Sequence, residues 1–333
     1  MSEKLLVIDT DCGIDDAQAI LVALAAPHVR VLAATCVFGN ASVDDVCQNV
    51  LRVLAVGQRE QIPVFRGSAG PLLGTAGTDT PCDHFGTDGL GDVFKDKDPQ
   101  WEAKIRREHA VSAMVRLVAE NPAQVTLVAL GPLTNLALAA RLDPSFPGKL
   151  KKLYIMGGNM EGKGNVSLCA EFNFAMDPEA AYVVLEEFLC PTYMATWEYA
   201  CRNALSWDFF EELTSQDTAA SRFMKTATSR CWAYSQEALS KKRGLHFGAG
   251  FVSFDSYAVA ACVDAGVVAE SVRCPVRVEL QGAMCRGMMV LDRVGRLKKQ
   301  HSVTVFTKCN KDRLARLLLE SLRQPPGSPD AGK

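Results

Sequence analysis

Residues 5–8 read LLVI, residues 9–17 read DTDCGIDDA, and residues 17–26 read AQAILVALAA. The apolar run has the length and composition of a buried strand. The middle piece is an acidic loop holding one glycine. The last piece carries apolar residues at helical spacing until Pro27 ends it. Val31–Val37 then reads as a second buried strand, and after Asn40, Ala41 and Ser42 an amphipathic helix covers Val43–Val56. Strand, acidic loop, helix, strand, loop, helix predicts an α/β fold, an open and mostly parallel sheet with helices on both faces.

The alternation continues outward from this start. Val125–Leu130 (VTLVAL) is a strand leading into GPLTN and the helical LALAARL. Leu153–Met156 is a strand running into a Gly pair, residues 178–188 are helical, and Thr192–Thr196 is one more strand. Residues 102–120 and 206–245 read as helical, and a helix starts at Asp255. Arg273–Leu280 and Val303–Thr307 read as late strands. Residues 66–100, rich in Gly, Asp, Thr and Pro, form a long irregular excursion of the kind that shapes sites. No repeat or linker divides the chain. The expectation is a single domain over residues 1–323, with the tail QPPGSPDAGK at 324–333 disordered.

Composition narrows the function. The chain has 333 residues, 36 Lys and Arg against 38 Asp and Glu, a net charge of −2, and 48% hydrophobic residues. Such a chain can bury a sizeable core and is neither disordered nor collagen-like. Its charge balance argues against a nucleic-acid partner held through a basic surface. The 12 cysteines form no CxxC pair, and Cys36, Cys190 and Cys262 sit in apolar runs, as thiols do in a cytoplasmic protein. There is no secretory signal pattern and no uninterrupted membrane-spanning stretch, so no membrane partner is expected. Five histidines leave little room for a histidine-rich zinc site, and the abundant carboxylates favour a hard cation.

The acidic loop is the sharpest local signal. Asp9, Asp11, Asp15 and Asp16 surround Gly13 directly after a strand. The carboxyl ends of strands line the ligand crevice of open α/β sheets. Packing like charges there is costly unless a cation or tight hydrogen bonding offsets it. Ca²⁺ or Mg²⁺ suits oxygen ligands of this kind. Two other readings compete: a set of helix-capping, solvated aspartates, and a phosphatase opening with an Asp-x-Asp pair at Asp9 and Asp11. The second leaves Asp15 and Asp16 surplus. Further polar groups fall after later strands: Asn40, the exposed carbonyl of Leu130, Asn159, Asn165, Glu171, Asn173 and Asp177. Amides and carboxylates at that density suit a polyhydroxylated ligand. Asp255, after the apolar GFVSF, is the last acidic candidate.

DTDCGIDDA, VALGPLTN, GNVSLCAEFN and FDSYAVA together resemble the inosine-uridine preferring nucleoside hydrolase family, from residue 7 to about residue 263. The resemblance implies a Rossmann-like core and cleavage of the N-glycosidic bond of ribonucleosides to ribose and free base. It implies one Ca²⁺ held by Asp11, Asp16, Asp255 and the backbone carbonyl of Leu130. Water would attack directly from the calcium, with Asp11 as general base. Asp15 would hold the 2′-hydroxyl, and Asn173 with Asp255 the lower hydroxyls. Asn165 and Glu171 would reach the 5′-hydroxyl side, and Asn40 would lie close to the ribose. A cytoplasmic homodimer or homotetramer is also implied. Oxocarbenium character at the sugar would be stabilised by these carboxylates and amides more than the neutral ground state is.

At the leaving-group end the sequence departs from the pattern. Many relatives carry a histidine just before the last ligating aspartate, where Phe254 stands here. Pyrimidine-active relatives carry another in the long loop, where Phe85 stands with His84 beside it. Phenylalanine donates no proton but can stack on a base. The base-side candidates are therefore Phe85, Phe254 and Trp232 as stacking groups, and His84 or His246 as donors. The expectation is a hydrolase leaning toward purine nucleosides. The competing expectations are a weakly active or merely binding member of the family, and an enzyme for a modified nucleoside.

Overall fold

β1 (Lys4–Thr10) is the LLVI strand extended at both ends, and the sheet grows to either side of it. The computed structural model describes residues 3–74, 85–94, 99–240 and 250–323. The strands that follow are β2 (Val29–Cys36), β3 (Val64–Arg66), β4 (Ile105–Arg106), β5 (Val125–Ala129), β6 (Lys152–Met156), β7 (Thr192–Ala195), β8 (Val268–Cys274), β9 (Val276–Val278), β10 (Met289–Leu291) and β11 (Val303–Cys309). Nine of them form one sheet in the order β4-β3-β2-β1-β5-β6-β7-β11-β8. Every neighbouring pair is parallel except β11 with β8, and β9 and β10 make a separate antiparallel pair.

The period of the strands divides the core. Leu6 and Ile8 face one apolar layer, formed with helices Ile14–Ala25, Val43–Val56 and Phe254–Val263. Val7, between them, faces the other, formed with helices Ala110–Glu120, Thr134–Leu142 and Pro178–Glu187. Alternate residues of a strand point to opposite faces, so one buried strand feeds both layers. The α/β sheet with helices on both faces is therefore as expected. Strand order reverses between β1 and β5, and the loops leaving their carboxyl ends diverge there. In this architecture that divergence opens a crevice.

Two expectations needed correcting. The helix expected over residues 102–120 begins only at Ala110, where the His109 side chain accepts the Val111 N–H. Residues 105–106 instead join the sheet edge as β4. The strand expected over Arg273–Leu280 is broken at Pro275, which has no N–H for a ladder and separates β8 from β9. The stretch 206–245 is mainly helical as expected over its described residues, as two helices, Trp207–Thr214 and Ala219–Ser240, the first capped by Ser206. The tail 324–333 lies outside the described residues. No disulfide joins the described cysteines. Among the described residues, no helix is long and apolar enough to cross a membrane.

Candidate active site

The acidic loop leaves β1 at the reversal of strand order. Asp9 is still part of the strand and fully buried, with Oδ1 accepting hydrogen bonds from Thr35 (2.7 Å) and Asn135 (2.9 Å). Burial pushes its carboxyl up to about 7. A phosphatase nucleophile at Asp9 would need access to substrate, and this environment removes that reading. Asp11 lies against the backbone of Gly39: a Cβ there would come within 2.0 Å of Asp11 Oδ2, so only glycine permits the approach. Oδ2 accepts the Asn40 N–H at 2.9 Å, and Oδ1 has no hydrogen-bond partner among the described residues.

Asp15 and Asp16 open helix Ile14–Ala25. Asp16 Oδ2 accepts the Gly13 N–H (2.9 Å) and the Asn40 amide (3.3 Å), closing the helix start on itself. Asp15 Oδ1 is buried without a partner among the described residues. Asp255 is the second residue of helix Phe254–Val263, which is buried around its whole circumference from Asp255 on. One carboxylate oxygen each from Asp15, Asp16 and Asp255 lie within 4.8 Å of one another. Burial raises the carboxyls of all four site aspartates. For Asp11 and Asp15 the charge of Asp16 adds to it, and for Asp255 the charges of Asp15, Asp16 and Asp11 do. Orphaned buried oxygens and mutually repelling carboxylates in an all-oxygen donor set fit a hard divalent cation.

The neighbouring strand ends supply the amides. Leu130 follows β5, and its carbonyl accepts the Asn173 amide at 2.7 Å. Asn173 also donates to the Met156 carbonyl at the end of β6 (3.1 Å), so one side chain ties two strand ends together. Glu171 is buried and caps helix Phe172–Met176, accepting N–H groups of Asn173 (3.0 Å), Phe174 (3.3 Å) and Gly158 (2.8 Å). Burial pushes its carboxyl up to about 7 despite these bonds. The structure thus brings Asp11, Asp15, Asp16, Asn40, Leu130, Glu171, Asn173 and Asp255 to one end of the sheet. Asn165 is different: its side chain is exposed on the loop after β6 and has no recorded bond to this group. Asn159 and Asp177 are fully engaged in holding loops and a helix cap.

Beside Asp15 lies a mostly apolar cavity walled by Ile14, Phe85, Trp207, Phe210, Met224 and Phe251. Phe85 also leans over the acidic loop, where a Cβ on Gly13 would meet its ring at 3.1 Å. Phe254 packs against the main core instead of lining this cavity. His84, His246 and the side chain of Trp232 lie outside the described residues. The segment 85–94 is fastened on two sides. Asn49 donates to the carbonyls of Cys12 (3.0 Å) and Asp88 (2.7 Å), and Asp92 pairs with Arg230 of helix Ala219–Ser240.

Sequence reasoning gave Asn135, Asn49 and Gln18 no role. Asn135 donates to Asp9 and Cys36 and accepts the Ser68 N–H, locking three loops beneath the aspartates. Its presence in GPLTN was a usable signal, because an amide just after a buried strand needs several partners. Asn49 and Gln18 sit inside helices and gave no such signal.

The model of the inosine-uridine preferring nucleoside hydrolase family matches residues 6–316. This chain belongs to that family. The inosine-uridine preferring nucleoside hydrolase of Leishmania major is 32% identical over 326 residues, 96% of this chain and 98% of that one. Probable uridine nucleosidase 1 of rice (Oryza sativa subsp. japonica) is 44% identical over 179 residues, 54% of each chain, so the match spans about half the length of that relative. A solved inosine-guanosine nucleoside hydrolase superposes with a TM-score of 0.86 at 31% identity, covering 96% of this chain and 98% of that one. As a nucleoside hydrolase family member, the chain carries its buried acidic group at the strand ends of a shared α/β fold.

Proposed function

We propose that the protein is a calcium-dependent ribonucleoside N-ribohydrolase that prefers purine nucleosides. The observation that carries the reading is the buried aspartate group, with oxygens on Asp11 and Asp15 that have no partner among the described residues, set against an aromatic cavity. Asp11, Asp16, Asp255 and the Leu130 carbonyl would hold the cation. Calcium, when bound, supplies Lewis acidity toward water and fixes sugar hydroxyls. Asp11 takes the proton of the attacking water through its unpartnered Oδ1. Asp15, Asn40, Asn173 and Asp255 hold ribose hydroxyls, and Glu171, with Asn165 where its loop reaches, serves the 5′ side. Positive charge developing on the sugar ring is met by buried carboxylates that need no reorganisation.

The purine preference rests on Phe85, which stands at the cavity wall where pyrimidine-active relatives carry a histidine, and on the second phenylalanine, Phe254, where many relatives carry a leaving-group donor. The related proteins carry names of both kinds, uridine nucleosidase and inosine-guanosine hydrolase, so the chain's own cavity decides. The test is kcat/KM on inosine, guanosine, adenosine, uridine and cytidine by release of reducing sugar. Purines should exceed uridine by about tenfold or more. Uridine as the best substrate overturns the preference, and ribose release from none of the five overturns the hydrolase reading in favour of a binding protein.

A further inference from the structure

The cavity beside Asp15 is apolar but for a few groups, and one of these is fully buried. Gln18 has no exposed surface and lines the cavity together with Asp15. Its amide orientation is determined by a short chain of hydrogen bonds. Ser321 Oγ donates its one proton to the Leu318 carbonyl at 2.7 Å, so toward Gln18 it can only accept. Gln18 Nε2 therefore points at Ser321, 2.8 Å away. The other end of the amide, Oε1, is buried and has no hydrogen-bond partner among the described residues. A buried carbonyl oxygen held in one orientation without a donor is costly unless something supplies the donor.

Asp15 and Gln18 are three residues apart on helix Ile14–Ala25, so they lie on one face with about 4.5 Å of axial rise between them. Both line the cavity, so a nucleoside whose hydroxyls engage Asp15 would have this cavity available for its base. We infer that Gln18 is a specificity-determining residue. Its Oε1 accepts a hydrogen bond from an N–H on the base edge remote from the sugar, which for a 6-oxopurine is N1–H. This rests on the hydrolase reading above and deepens it, naming 6-oxopurine ribonucleosides as the favoured class. The N–H is present in ground state and transition state alike. The contact is uniform binding, and it shows in KM and not in kcat.

The test compares inosine with purine riboside, which has the same sugar and ring system but no N–H on the six-membered ring. In the wild type inosine should have the lower KM. Gln18→Met keeps side-chain length and removes the acceptor. It should raise KM for inosine about tenfold, leave its kcat within about twofold, and leave purine riboside unchanged. Equal losses on both substrates would show a packing role only, and no loss on inosine would remove Gln18 from the base site. Either result overturns the inference. Should Gln18→Met not fold, Ser321→Ala frees the amide to rotate. The inosine to purine riboside ratio of kcat/KM should then fall at least threefold, and an unchanged ratio overturns the inference equally. Failure of the underlying reading looks different, since a wild type that prefers uridine or cleaves no nucleoside is seen before any variant is made.

Discussion

Neutralising one aspartate of the site should make the calcium-free protein more stable and its response to calcium less than half as large. Asp15, Asp16 and Asp255 present oxygens within 4.8 Å of one another. At an effective dielectric of about 20, a pair of full charges at that distance repels by about 3 kcal/mol. Raised carboxyl pKa values show that part of this is relieved by protonation, so Asp255→Asn should stabilise the apo form by about 1–3 kcal/mol. Its amide can still donate to Asp16, which shares a side-chain hydrogen bond with Asp255. Thermal unfolding converts the figure to temperature. With about 2.1 cal/mol/K of unfolding entropy per residue over 333 residues, 1 kcal/mol corresponds to about 1.4 °C. The variant in EGTA should therefore melt about 1–4 °C above the wild type. Calcium at 100 times its Kd adds about 2.7 kcal/mol, or about 4 °C, to the wild type and under half of that to the variant. Differential scanning fluorimetry in EGTA and in CaCl₂ reads both shifts. A wild type indifferent to calcium, or a variant with the full calcium shift and a lower apo melting point, would refute the reasoning.

Asp11→Asn retains the shape of the site but cannot take a proton. We expect kcat on inosine to fall about 10²–10⁴-fold with an unchanged circular dichroism spectrum, and normal turnover would remove Asp11 as base. Asn135→Ala strips partners from Asp9, the Cys36 carbonyl and the Ser68 N–H. It should cost about 3–5 kcal/mol and lower the melting point by about 4–7 °C, so a loss under 1 °C would contradict the network. Glu171 has a carboxyl raised to about 7 in the fold by burial. The native state then binds its proton more tightly than the unfolded chain does. Its stabilising contribution is complete below about pH 4.5 and is lost as pH rises through about 7, by up to about 3 kcal/mol. Urea titrations of wild type and Glu171→Gln between pH 4.5 and 7.5 should show the steeper decline in the wild type, and parallel curves would contradict this.

What the sequence revealed follows from how local each signal is. Helix Val43–Val56 lies where its amphipathic period and Ser42 cap put it, because both signals are contained in its own residues. β4 is two residues at a sheet edge and has no period to read. The break at Pro275 was visible as a residue but concealed by the strand-like alternation of Val272, Val276 and Val278 around it. In the site, Asp11, Asp15 and Asp16 were readable because one loop carries them. Asp255 needed the family resemblance, since a lone acid near a helix start is ordinarily a cap. Glu171, expected on the 5′-hydroxyl side, also accepts three backbone N–H groups, an engagement no local pattern announces because it is set by how the loop from β6 turns back on Gly158.

The two ends of the site differ in the same respect. The acidic end takes Asp11 directly after β1 and Leu130 directly after β5, with Asp15 and Asp16 opening the helix that follows β1, so topology delivers these to one place once the sheet forms; Asn173 and Asp255 arrive on helices Phe172–Met176 and Phe254–Val263. The cavity end is assembled from helices Trp207–Thr214 and Ala219–Ser240, residues 250–253 and Phe85, which meet only through tertiary packing. Such walls can change without disturbing the strands, whereas a change at the acidic end strikes the loops that leave the sheet. One element crosses the divide. Helix Ile14–Ala25 carries Asp15 in the acidic group and Gln18 one turn further along, at the cavity, on a backbone anchored by Asp16 at Gly13 and by Ser321 at Gln18. On the proposed reading a rigid helical turn would set the distance between ribose and base, so selectivity at Gln18 and catalysis at Asp11 should prove separately alterable.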